Sequence, residues 1–148
     1  MCLGLSKQLG MSKEPDENLE RLDCDVLEEL CGARVVIRRA VRAIYDRLND
    51  QKKGRLNQIM KLWCEGRALT PQMFNASEGR TPRRNIMLKA FKTFKIRLYG
   101  FDGDVGGKRT FVIVDSDPAK KQDKADPRVL NRAKKRIDDL LDHQGEKE

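Results

Sequence analysis

This 148-residue chain has one histidine, His143, four cysteines, and no apolar run near the ~20 residues that a membrane-spanning helix needs. The cysteines, Cys2, Cys24, Cys31 and Cys64, form no CxxC pair, and His143 lies far from all of them in sequence. Neither a zinc site nor a disulfide framework is indicated, so no metal and no cofactor is expected, and reduced thiols fit a cytosol. The N-terminus lacks the charged, apolar and small-residue order of a secretory signal. The expectation is a cytoplasmic protein without membrane contact. Hydrophobic residues make up 39% of the chain, enough for one modest core but not two independent ones.

The chain has an excess of positive charge, unevenly placed. Residues 1–32 carry 3 Lys/Arg against 8 Asp/Glu, whereas residues 33–148 carry 28 against 15, so the net +8 hides an acidic head and a strongly basic body. Such asymmetry points to a polyanionic partner, RNA first of all, with solubility as the plainer alternative. The acidic head either covers the basic surface or repels nucleic acid.

Periodicity supplies a coarse map. Residues 1–16 hold Gly4, Gly10 and Pro15 without a sustained period, the pattern of a tail. Over residues 18–30, Leu19, Leu22, Val26, Leu27 and Leu30 recur at helical spacing, which predicts a short acidic helix stopped by Gly32 and puts Cys24 and Cys31 on one face as packing residues. Residues 33–49 read as a basic helix, with residues 34–37 alternatively a short strand. Leu56, Ile59, Met60 and Trp63 mark a further helix ending at Gly66, and the short connection between the two predicts a helical hairpin. Residues 67–85 read as a loop that stays mobile until a ligand arrives, with Arg80, Arg83 and Arg84 near its end. A strand around Phe94, Ile96 and Leu98 follows, then a Gly/Asp-rich turn over residues 102–107 and an apolar strand over residues 110–115. Residues 118–126 are a Lys-rich connection, and Asp126-Pro127 opens a C-terminal helix. The expected fold is α+β: a helical hairpin on a small antiparallel sheet with a C-terminal helix.

Three stretches carry a family likeness. They are the helix closing with Ile59, Met60, Leu62, Trp63, Gly66 and Leu69; the strand Phe94-Lys95-Ile96-Arg97-Leu98; and Lys120-Lys121-Gln122-Asp123-Lys124-Ala125-Asp126-Pro127 followed by Leu130, Ala133 and Arg136. Together, over residues 35–141, they resemble the RelE/HigB superfamily of bacterial toxin–antitoxin toxins, in particular its phage-derived branch. The resemblance divides the chain into residues 1–32, a tail with an acidic helix, and residues 33–148, a basic RelE-like domain. That family commonly has three or more strands where this sequence offers two clear ones, with residues 86–91 the candidate for another. The acidic head and the long 67–85 loop are additions.

The resemblance implies a hydrolase: a metal-independent endoribonuclease acting on messenger RNA on the ribosome and restrained by an antitoxin protein. Such cleavage needs a base for the 2′-hydroxyl, an acid for the leaving oxygen and cations against phosphate charge. Lys95, Arg97, Arg109 and Lys121 are the candidate catalytic residues. Either Lys95 or Lys121 serves as base through crowding by other cations, and Arg97 and Arg109 clamp phosphate. Tyr99, Lys120, Lys124, Arg83 and Arg84 are the candidate RNA contacts, Tyr99 by stacking on a base unless it is an ordinary strand tyrosine. Two alternatives remain: a non-catalytic nucleic-acid-binding accessory protein, and a structural protein of mobile-element origin that meets an acidic protein.

Overall fold

The structure, a computed structural model, describes residues 17–93, 96–117 and 126–146. In chain order these form α1 (Glu17–Leu22), β1 (Cys24–Leu30), β2 (Ala33–Arg38), α2 (Arg39–Asp46), α3 (Asp50–Cys64), β3 (Phe74–Asn75), β4 (Lys89–Thr93), β5 (Ile96–Val105), β6 (Lys108–Asp117) and α4 (Pro127–Glu146). The strands make one sheet in the order β1-β2-β6-β5-β4-β3. β2 runs parallel to β6, and every other neighbouring pair is antiparallel. The α+β class and the C-terminal helix agree with the sequence reading. The sheet differs from it: it is mixed and six-stranded, with helices on both faces.

One face packs Val35, Ile37, Phe91, Leu98 and Phe111 against Leu56, Ile59, Met60 and Trp63 of α3. Trp63 meets the rings of Phe91 and Phe111 edge-on, at 6.3 and 5.7 Å between centroids, the arrangement that ring quadrupoles favour. The opposite face packs Val36, Tyr99, Phe101, Val112 and Val114 against Leu19 and Leu22 of α1 and Ala133, Ile137 and Leu140 of α4. Being covered on both sides, β2 and β6 need apolar residues at successive positions. That is why they read as Ala33-Arg34-Val35-Val36-Ile37 and Phe111-Val112-Ile113-Val114 rather than as alternations.

The predicted helix over residues 18–30 stops at Leu22. Asp23 takes a left-handed φ of 59°, the chain reverses, and Cys24–Leu30 becomes a strand paired with β2. Cys31 and Gly32 both have positive φ, 57° and 78°, as a two-residue type I′ hairpin turn requires. A register shift between Val26 and Glu28 changes the phase of β1, so Leu27 and Leu30 reach the first core while Cys24 lies in the second. Cys24 is therefore buried and Cys31 exposed, and they share no helix face. Residues 17–32 belong to the same sheet and cores as the basic body.

Residues 33–38 form the strand that was the alternative for that segment, and α2 begins only at Arg39. Asn49 caps the start of α3, its side chain accepting the Lys52 N–H at 2.9 Å, and Gly66, with φ 77°, follows the helix end. The 67–85 segment is tied down rather than waiting for a ligand. Glu78 N–H donates to Leu88 O, Leu88 N–H to Gly79 O and Thr81 N–H to Ile86 O, at 2.8 to 2.9 Å. Gly106 and Gly107, with φ of 62° and 84°, make the β5–β6 turn expected of that glycine-rich stretch.

Candidate nucleic-acid interface

Pairing fixes where the strand cations lie. Arg97 faces Asp117 across the open end of the β5–β6 hairpin, whereas Arg109 faces Asp104 next to its turn. Eight residues of strand separate the two ends, roughly 26 Å at ~3.3 Å per residue. The faces differ too. Arg97 alternates with Ile96 and Leu98, which enter the α3-side core, while Arg109 shares the side of Phe111, in that same core.

Arg109 is consequently no partner of Arg97 in a phosphate clamp. Its guanidinium stacks on the Trp63 ring at 3.8 Å and donates to the carbonyls of Trp63 and Cys64, the last of α3. The Trp63 carbonyl also accepts the Gly66 N–H, so the cation adds a second donor there and offsets the negative end of the helix dipole. At the same hairpin end Arg34 is buried, donating to Thr110 Oγ1 at 3.2 Å and Val105 O at 3.0 Å.

Arg97 forms a 2.8 Å ion pair with Glu78, and the two side chains are only 11% and 8% exposed. Tyr99, beside it in β5, is fully buried, so it offers no face for a base to stack on. Burial pushes its phenol up to about 12, with the nearby Arg97 charge opposing the rise. Arg83 and Arg84 are occupied as well. Their backbone N–H groups donate to the two oxygens of buried Asp138, and their side chains pair with Asp139 and Asp142 of α4. These two arginines fasten the loop to α4. Lys95, Lys120, Lys121 and Lys124 lie outside the described residues. Their described neighbours Ile96 and Asp117 sit at the same end of the sheet as Arg97.

The exposed cations that the structure gathers are on α4. Asp126 caps the helix by accepting the Arg128 N–H at 2.9 Å, with Pro127 at the first helical position. Arg128, Arg132 and Arg136 then recur every four residues, and their side chains are 94%, 51% and 44% exposed. Arg132 donates twice to buried Asp115, at 2.7 and 2.8 Å, and Arg136 reaches the same carboxylate at 3.3 Å. Each guanidinium has five N–H donors, so both can hold Asp115 and still offer hydrogen bonds outward. This i, i+4, i+8 arginine spacing is legible in the sequence, and of its three members only Arg136 belongs to the stretches that carry the family likeness.

Two cysteines are poor nucleophiles here: burial pushes the thiols of Cys24 and Cys64 up to about 12. Among the described residues, no group of three or more His, Cys, Asp or Glu is arranged to hold a metal ion, and no helix is long and apolar enough to cross a membrane. No family model, no curated protein and no solved structure matches this chain.

Proposed function

We propose that the chain is a toxin-like RNA-binding protein of the RelE/HigB kind, a metal-independent endoribonuclease acting on messenger RNA and restrained by an antitoxin. The observation that supports it best is the exposed arginine stripe of α4, beside the sheet end where Arg97 sits. Topology adds support. The region in which that family has three or more strands here holds the β4–β5–β6 meander, the third strand lying within three residues of the candidate segment 86–91.

Binding should weaken steeply with salt, because each neutralised phosphate releases counterions. The double variant Arg128→Gln/Lys135→Gln removes two exposed cations whose ion pairs contribute little to stability. On single-stranded RNA its log–log salt slope should be shallower than wild type by about 1.4, following ~0.7 per phosphate. Equal slopes in a filter-binding or anisotropy titration would show that RNA does not lie along α4.

A non-catalytic nucleic-acid-binding role is the second reading, and it is favoured by Arg97 being closed on Glu78 and Tyr99 being buried. Induced expression separates the two. Growth arrest with cleaved transcripts, relieved by Lys95→Ala/Lys121→Ala, is the toxin outcome. Normal growth and intact transcripts, with RNA still bound in vitro, leave the accessory role.

A further inference from the structure

α3 is the most unevenly charged of the described helices. It has four cations, Lys52, Lys53, Arg55 and Lys61, against the single acid Asp50. On α4 the charges are matched: Arg128 pairs with Asp126, Arg132 and Arg136 with Asp115, and Lys135 with Asp139. Lys52, Lys53 and Arg55 form no ion pair among the described residues. Lys52 and Lys53 also stand near the positive end of the α3 dipole, where a cation lowers helix stability. Neither the helix nor an acid partner accounts for them.

Gly54 points to the same face. It lies inside α3 between Lys53 and Arg55 and is exposed. Glycine in a helix interior costs stability relative to alanine, and its uses are a positive φ or the close approach of another group to bare backbone. Gly54 has helical backbone without a positive φ, and a Cβ there would meet nothing within 4 Å. No contact within the described fold requires the missing side chain, so the bare backbone suits a group that arrives from outside. Gln51 and Gln58, one turn to either side, are exposed as well and make with Gly54 a neutral strip flanked by cations.

Amide and cationic side chains are those that hydrogen-bond phosphate and sugar oxygens. Trp63, the one aromatic residue of α3, is buried, so this face offers no ring for an unpaired base to stack on. A convex helix face of this kind fits the backbone and groove of a double helix better than a single strand. α3 and α4 pack on opposite faces of the sheet, so their outer faces look in opposite directions.

We propose that the outer face of α3 around Gly54 docks the phosphodiester backbone of a double-stranded nucleic acid, separately from any strand held along α4. That chemistry is shared by duplex RNA and duplex DNA. The assignment holds whether or not the protein cleaves RNA.

Anisotropy titrations of the full chain with a duplex RNA, the matching duplex DNA and one single strand, each over a range of salt, test it. Lys53→Gln/Arg55→Gln should keep the wild-type melting temperature, since neither side chain is ion-paired. On duplex DNA its log–log salt slope should be shallower by about 1.8, following ~0.9 per phosphate. Arg128→Gln/Lys135→Gln removes the same charge from α4 and should leave the duplex slope at the wild-type value. Gly54→Gln changes no charge. It should raise the melting temperature, as a better helix former, and weaken duplex binding by about tenfold through loss of one charge-assisted contact. A tighter RNA duplex assigns the surface to folded RNA, a tighter DNA duplex to DNA, and equal affinities to duplexes of both kinds. Five results would each overturn the assignment: duplex affinity unchanged in Gly54→Gln, a lower melting temperature in that variant, equal slope losses from the α3 and α4 double variants, failure of both duplexes to bind at low salt, or polyglutamate bound as tightly as either duplex. Single-strand titrations report on α4, so the two surfaces stand or fall independently.

Discussion

Gly100→Ala is expected to leave little folded protein at room temperature. Gly100 pairs with Ile113 where the β5–β6 register shifts. A Cβ there would lie 2.0 Å from the Val112 carbonyl oxygen, 2.7 Å from Phe111 Cε1 and 2.8 Å from the Val112 carbonyl carbon. Two of those three atoms are main chain of β6, which is bonded on both sides and cannot retreat without breaking a ladder. Overpacking by a methyl group typically costs ~1–3 kcal/mol, and a backbone clash this close belongs above that range. A domain stable by only ~5–15 kcal/mol has little margin for it. Gly103→Ala is the control, because a Cβ at Gly103 meets nothing within 4 Å. Urea unfolding followed by circular dichroism reads both variants. A Gly100→Ala midpoint equal to that of wild type would mean that the two strands are further apart than described.

Arg97→Ala should destabilise the fold by about 3–5 kcal/mol, because it strands the Glu78 carboxylate, 8% exposed, without its cation. Loss of RNA cleavage or toxicity in that single variant would therefore say nothing about chemistry. Replacing both partners, Glu78→Leu with Arg97→Met, removes both charges while keeping comparable volume and should restore most of the lost stability. The double variant is the informative one. A stable protein that still arrests growth makes Arg97 purely structural, whereas a stable protein without activity keeps the guanidinium in the site. A double variant no more stable than Arg97→Ala would show that the stranded Glu78 carboxylate is not the source of the loss.

Elements with a strong local signal were legible in the sequence. α3, α4 and the Gly106–Gly107 turn fall where stripes, caps and glycines put them, because local preference and tertiary packing agree there. The acidic segment misled because its leucines satisfy a helical period, while the bulge in β1 erased the alternation that marks a strand. Nothing local separated helix from strand; pairing with β2 decided it.

The candidate site was less legible for a related reason. Lys and Arg look alike in sequence whether they cap a helix, close a buried pair or face solvent. Arg109, Arg97, Arg83 and Arg84 stand out in the sequence by charge alone, and the structure gives each a protein partner. What sequence lacks is the location of the compensating acids. Asp115 and Asp138 are buried and come from β6 and α4, distant in sequence from several of the groups they bind.

The single parallel pairing in the sheet has a consequence for how the chain assembles. β6 is the last of the described strands to be synthesised, yet it sits between β2 and β5 and joins segments that meet nowhere else in the sheet. Contacts such as Arg34 with Thr110 span 76 positions. Until β6 emerges, the N-terminal hairpin has no strand to pair with along β2, and only the face that meets α3 can be covered. A nascent chain interrupted upstream holds disconnected parts, so closure comes late and nearly at once, with the loop entropy of that long span set against it.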